Sequence, residues 1–116
     1  MAHRDLRRDQ RTACLGSLGT IEVSWMETGS DPRFARGKCI DASVDGLRLD
    51  FPVALPVRAT VTLRIPRIDV SGSASVRHVR RTGMKFVIGF EFSQHLRQQV
   101  ARNIMTLQPV SSPDPS

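Results

Sequence analysis

The sequence predicts a small all-β domain of about six strands, followed by one helix. Three observations carry that prediction. Apolar and polar residues alternate with period two through most of residues 18 to 92, as they do in strands with one buried face. Short segments rich in Gly, Pro, Asp and Ser separate the alternating runs. Beyond residue 93 the apolar spacing changes to three and four, which is the helical period. No strong strand is apolar throughout, so an antiparallel barrel or sandwich is expected rather than a parallel sheet.

Each element has its own justification. In a first strand from Leu18 to Trp25, Ile21, Val23 and Trp25 oppose Thr20, Glu22 and Ser24. Thr28-Gly-Ser-Asp-Pro32 reads as a loop. A weaker second strand spans Arg36 to Ile40. A third follows Asp41–Gly46, with Leu47, Leu49 and Phe51 alternating against Arg48 and Asp50. Pro52 and Pro56 punctuate the next connection. The clearest strand covers Val57 to Ile65, where Val57, Ala59, Val61, Leu63 and Ile65 share one face; Pro66 stops it. A fifth strand runs from Val70 to about Arg81. Val79 breaks its parity and predicts a bulge near Arg77 and His78. Thr82-Gly83 turns the chain into a sixth strand carrying Met84, Phe86, Ile88, Phe90 and Phe92, with Gly89 assigned to strand packing. Ser93 is placed to N-cap a helix whose stripe is Leu96, Val100, Ile104 and Leu107, and which Pro109 is expected to end. Residues 1–12 read as a flexible basic arm, 13–108 as barrel plus helix, and 109–116 as a disordered tail.

Composition bounds the function. The 116 residues suit one domain with a modest core, and a hydrophobic fraction of 40% argues against disorder. No apolar run approaches the ~18 residues of a membrane span, and the polar N-terminus lacks a signal-peptide core. A cytoplasmic protein is expected. Seventeen basic residues against eleven acidic give a net charge of +6. All but Lys38 and Lys85 among them are arginine, which favours planar, bidentate recognition of phosphates and guanine edges. Cys14 and Cys39 have no zinc-like spacing and read as buried or half-buried thiols.

Catalysis is not expected. Asp41, Ser43 and a histidine could be assembled into a triad on paper, but no nucleophile elbow accompanies them, the carboxylates are scattered, and no metal-ligand cluster appears. Nucleic-acid binding fits the charge but not the aromatics, because there is no Tyr and the Phe residues of the sixth strand belong to the core face. Two features are left over. One is the arm, with Arg7 and Arg11 spaced as Arg-x-x-x-Arg and Arg8 between them. The other is Asp41-x-Ser43-x-x-Gly46 between strands two and three. In that turn Asp and Ser can bond nearby backbone, and Gly46 tolerates a positive φ where the chain reverses.

Together, in this order, and followed by Ile88-Gly-Phe-Glu-Phe92 before a C-terminal helix, these motifs resemble the PilZ family. Its members bind the bacterial second messenger cyclic di-GMP. The resemblance covers roughly Arg4 to Leu107 and implies a six-stranded antiparallel β-barrel with a C-terminal helix. It further implies that Arg7 and Arg11 hold guanine and phosphate, with Arg8 assisting, and that Asp41 and Ser43 bond the base edge and nearby phosphate. Gly46 would let the backbone approach. Arg4 and Arg8 form a second Arg-x-x-x-Arg, but the spacing to the first strand favours Arg7 and Arg11.

The expected function is therefore a cyclic di-GMP receptor and not an enzyme, one whose arm rearranges on binding to present a surface to a protein partner. The alternatives are an interaction barrel of the same family that binds no nucleotide, and a nucleic-acid-binding barrel.

Overall fold

The computed structural model describes residues 18–27 and 31–111, with side chains described as far as Ile104. Six strands form one closed antiparallel barrel: β1 (Thr20–Met26), β2 (Pro32–Ala42), β3 (Gly46–Phe51), β4 (Thr60–Ile65), β5 (Val70–Thr82) and β6 (Lys85–Phe92). Around the barrel the order is β1-β2-β3-β6-β5-β4. A short ladder, Glu22↔Arg64 to Ser24↔Thr62, closes β4 onto β1. A 3-10 turn at Pro66–Ile68 joins β4 to β5, and helix α1 (Gln94–Ser111) follows β6.

Period two in the sequence becomes inside and outside in the barrel. Val61, Leu63 and Ile65 of β4 point inward, as do Leu47, Leu49 and Phe51 of β3 and Ile88, Phe90 and Phe92 of β6. Full burial of such side chains contributes about 1.5–3 kcal/mol each. Trp25 lies at the edge of this core and meets Phe51 edge-on, with ring centroids 6.0 Å apart. The helix buries Leu96, Val100 and Ile104 and packs on β5, the 3-10 turn and β6. Ser93 caps it as expected: its Oγ accepts from Leu96 N–H at 3.2 Å. Asn103 Nδ2 donates to the Ile68 carbonyl at 2.8 Å, fastening the helix to the 3-10 turn.

Three expectations are corrected. The strand read from Val57 begins only at Thr60. Arg58 adopts a left-handed φ of 80°, which breaks the extended run, and the ladder to β5 resumes at Thr60↔Ser75; Val57 is left exposed. The helix continues to Ser111, past Pro109. Proline's fixed φ is itself near the helical value, so the last turn runs on with only the bond from residue 109 to the Met105 carbonyl missing. Gly46 does not take a positive φ; among described glycines only Gly19 and Gly83 do.

Two bulges set the outer surface. On β5 the register shifts between Val76 and His78, as the broken parity at Val79 predicts. On β2 it shifts between Cys39 and Asp41, so Ile40 is the extra residue. An extra residue reverses the alternation beyond it. Val76 faces the core, yet His78 faces out. Asp41 is likewise brought beside Arg48 on the outer face, while Ala42 returns to the core.

Candidate functional site

The two re-aimed residues border one cleft. It encloses about 510 Å³ on the outer face of β2, β3, β6 and β5. One wall is the β2–β3 corner, with Asp41, Ser43, Asp45 and Gly46; the other holds Arg77 and His78 of β5. Arg48, Gly89 and Glu91 lie between them.

The corner is built by its own polar atoms. Ser43 N–H donates to the Gly46 carbonyl at 2.8 Å, and Asp45 N–H donates to Ser43 Oγ at 3.1 Å. These bonds tie a three-residue reversal that needs no left-handed residue. Phe92 N–H donates to the Asp45 carbonyl at 2.9 Å, pinning the corner against the end of β6. Arg97 of the helix approaches from behind, its Nε 3.7 Å from Asp45 Oδ1.

Gly46 is required by packing. It lies opposite Glu91 in the β3–β6 ladder, and a Cβ there would overlap the Phe90 carbonyl oxygen and crowd Glu91 Cα. The close approach expected of this glycine is thus to a neighbouring strand. Gly89 differs. A Cβ at that position would meet His78 Cδ2 at 3.5 Å and Arg48 Cγ at 3.9 Å, ordinary contact distances that leave room for it. Strand packing does not demand this glycine.

Both arginines in the cleft are engaged with carboxylates. Arg48 Nε donates to Asp41 Oδ1 and Oδ2 at 3.1 and 3.2 Å, and Nη2 donates to Oδ2. These hydrogen bonds raise the Arg48 pKa further, so the guanidinium remains charged. Arg77 Nη1 donates to Glu91 Oε1. The cleft therefore contains two arginines against the three carboxylates Asp41, Asp45 and Glu91. Among the described residues it holds no surplus positive charge for an anion. Nor do the described residues contain a cluster suited to a metal ion.

Of the residues predicted from sequence, Asp41, Ser43 and Gly46 come together in this cleft. Arg7, Arg8 and Arg11 lie outside the described residues. Sequence reasoning missed Arg48, Arg77, His78 and Glu91 as cleft residues, and it gave Gly89 to packing. The broken parity at Val79 already marked His78. Pairing of β3 with β6, which brings Arg48 and Gly89 beside it, joins distant segments and left no such mark.

Cys39, which lies just before the bulge, is a partly buried thiol whose Sγ donates to the Asp41 carbonyl at 3.5 Å. Burial, aided by the charge of Asp41, pushes its pKa from 9.0 up to about 11. Cys14 lies outside the described residues. Alkylation of Cys39 by iodoacetamide at pH 8, followed by peptide mass mapping, is expected to be about a hundredfold slower in the native protein than in urea. Equal rates would contradict this environment. The sign for stability follows. The unfolded thiol ionises first, so the contribution of Cys39 is fully present below pH 9 and is lost as pH rises toward 11.

The fold is a closed antiparallel barrel with a cleft on its outer face, framed by the β2–β3 corner. The chain belongs to the PilZ domain family, which it matches over residues 5–107. No curated protein sequence matches it. Among solved structures it is similar to Escherichia coli YcgR in complex with c-di-GMP, with a TM-score of 0.51 and 12% sequence identity. That similarity covers 79% of this chain and 42% of the other, so the chain spans less than half the length of YcgR. No helix among the described residues is long and apolar enough to cross a membrane.

Proposed function

We propose that this chain is a cyclic di-GMP receptor in which the barrel supplies half of the binding site and the N-terminal arm supplies the rest. The observation that carries this reading is the charge balance of the cleft, where two arginines are already committed to carboxylates and a third carboxylate stands nearby. A ligand with two phosphates needs cations that these residues lack. Arg7, Arg8 and Arg11 are the arginines the family resemblance assigns to that role, and they precede the barrel directly in sequence. Membership of the PilZ family and similarity to the YcgR complex support the same ligand.

In this reading Ser43 and the backbone of the corner bond the ligand's polar edge, while the arm closes over the cleft. With Leu6 as the one large apolar residue between positions 3 and 11, the arm has little of its own to bury, so the ligand's phosphates provide what orders it. An ordered arm creates a new surface for a protein partner, and the effect is regulation by binding, without catalysis.

Calorimetry with cyclic di-GMP tests this reading. Wild type is expected to bind at about micromolar affinity, which corresponds to roughly 8 kcal/mol. Ser43→Ala removes one hydrogen bond and should weaken binding by about tenfold. In the same samples amide exchange of residues 4–11 should slow when ligand is added. No heat from wild type would favour a second reading, an interaction barrel that binds no nucleotide. The Asp41–Arg48 pair favours that reading, because it satisfies the motif's aspartate on the barrel's outer face without a ligand.

A further inference from the structure

We infer that the barrel end carrying the β5–β6 hairpin docks on an anionic lipid surface, with Met84 entering it and a collar of basic side chains held against the headgroups. This face shares no residue with the cleft, and the inference does not rest on the receptor reading. The hairpin stands clear of its neighbours. Pairing of β5 with β4 ends at Thr60↔Ser75, and pairing of β6 with β3 ends at Phe51↔Phe86, so Thr82 and Lys85 have only each other. Gly83 takes a φ of 72° at the first position of the two-residue turn, and Met84 fills the second. Met84 is 91% exposed there. Ser or Asp serves such a turn equally well, so folding does not account for a methionine at the apex.

The surroundings of the apex point to its partner. A row across four strands joins Lys38 of β2, Asp50 of β3, Val87 of β6 and Arg80 of β5. Arg36, Pro52 and Lys85 line one shallow depression with Lys38 and Asp50. Every exposed large apolar side chain at this end adjoins a member of that depression. Met84 precedes Lys85, Val53 follows Pro52, and the Phe34 ring centroid lies 5.5 Å from the Arg36 guanidinium carbon. Arg81 completes the collar, its Nε donating to the Gly83 carbonyl at 3.2 Å. The five cations Arg36, Lys38, Arg80, Arg81 and Lys85 meet two carboxylates, Glu22 and Asp50, whereas in the cleft the balance is reversed. Apolar side chains met singly on a surface need no explanation, but three within one basic patch do. Side chains that project one by one suit a fluid interface, which closes around each while its phosphates meet the cations. A protein partner would need them joined in one packed patch.

The test is sedimentation of the full chain with vesicles, either pure phosphatidylcholine or an equal mixture with phosphatidylglycerol. Wild type is compared with Met84→Ser and with the double variant Lys38→Gln/Arg80→Gln, and the melting temperature of each is measured. Wild type should bind the mixed vesicles at least about tenfold more tightly than the neutral ones. At unchanged melting temperature, Met84→Ser should bind the mixed vesicles about fivefold more weakly, and the double variant at least about tenfold more weakly. If the double variant melts more than about 2 °C below wild type, molar salt on wild type takes its place, with the same loss expected. Wild-type binding that is absent, or indifferent to phosphatidylglycerol, overturns the inference. Full binding by Met84→Ser overturns it too, because the face would then be basic without entering lipid. A short DNA duplex that displaces the chain from vesicles at lower phosphate concentration would assign the face to nucleic acid instead.

Discussion

Gly46→Ala is expected to destabilise the protein by about 3 kcal/mol, at the upper end of what overpacking costs. For a domain of this size that corresponds to a melting temperature roughly 12–24 °C lower. The size of the effect comes from what the new methyl group meets. A flexible side chain could swing away, but the obstacle is the Phe90 carbonyl of the partner strand. Moving that carbonyl disturbs the Gly46↔Glu91 pairing and the Phe92 bond that holds the corner. A glycine-to-alanine change at a position that tolerates it normally stabilises by about 0.4–1 kcal/mol, because the unfolded chain loses freedom. The same change at Gly89, in the adjacent strand, should follow that rule. Two glycines bordering one cleft are thus expected to give opposite signs in a thermal melt. A Gly46→Ala variant that melts within about 2 °C of wild type would show that strand approach is not why glycine stands there.

That contrast also shows how far the sequence could be read. The fold was legible because burial in a one-layer barrel imposes period two, and Val61-Thr62-Leu63-Arg64-Ile65 displays it without interruption. The start of that strand was misread because Arg58 departs into the left-handed region, which nothing in its side chain signals. The corner was legible as polar spacing at Asp41, Ser43 and Gly46. Its outer-facing geometry was not, because it depends on the Ile40 bulge. A trace of that bulge does exist in the sequence. Cys39 and Ile40 are adjacent apolar residues and Ala42 is the next inward one, so strict alternation fails between them. The opposite wall was out of reach. His78, Gly89 and Arg48 become neighbours only when β3, β6 and β5 align, and pairing between distant segments is set by the closed barrel as a whole.

Replacing both Arg7 and Arg11 with alanine is expected to produce the largest loss of cyclic di-GMP affinity, from about thirtyfold to as much as about ten-thousandfold. Each bidentate contact of an arginine with guanine or phosphate contributes about 1–3 kcal/mol, and two are removed. Losses of this order are expected from the arm because the barrel cannot compensate. Arg48 and Arg77 are held by Asp41 and Glu91, and freeing either would leave its carboxylate facing the ligand's phosphates. Arg8, left in place, supplies one charge and no second fork. The melting temperature without ligand should stay within about 2 °C of wild type, since the arm's sequence offers the barrel almost nothing apolar to bury. Gly46→Ala is the reverse case, where stability falls first and binding is lost with it. Calorimetry and a thermal melt on the two variants separate the ligand's cations from the frame that holds its polar edge. A double-arginine variant that binds as wild type does would remove the arm from the site, leaving the cleft with more carboxylates than guanidinium groups and no source of charge for an anionic ligand.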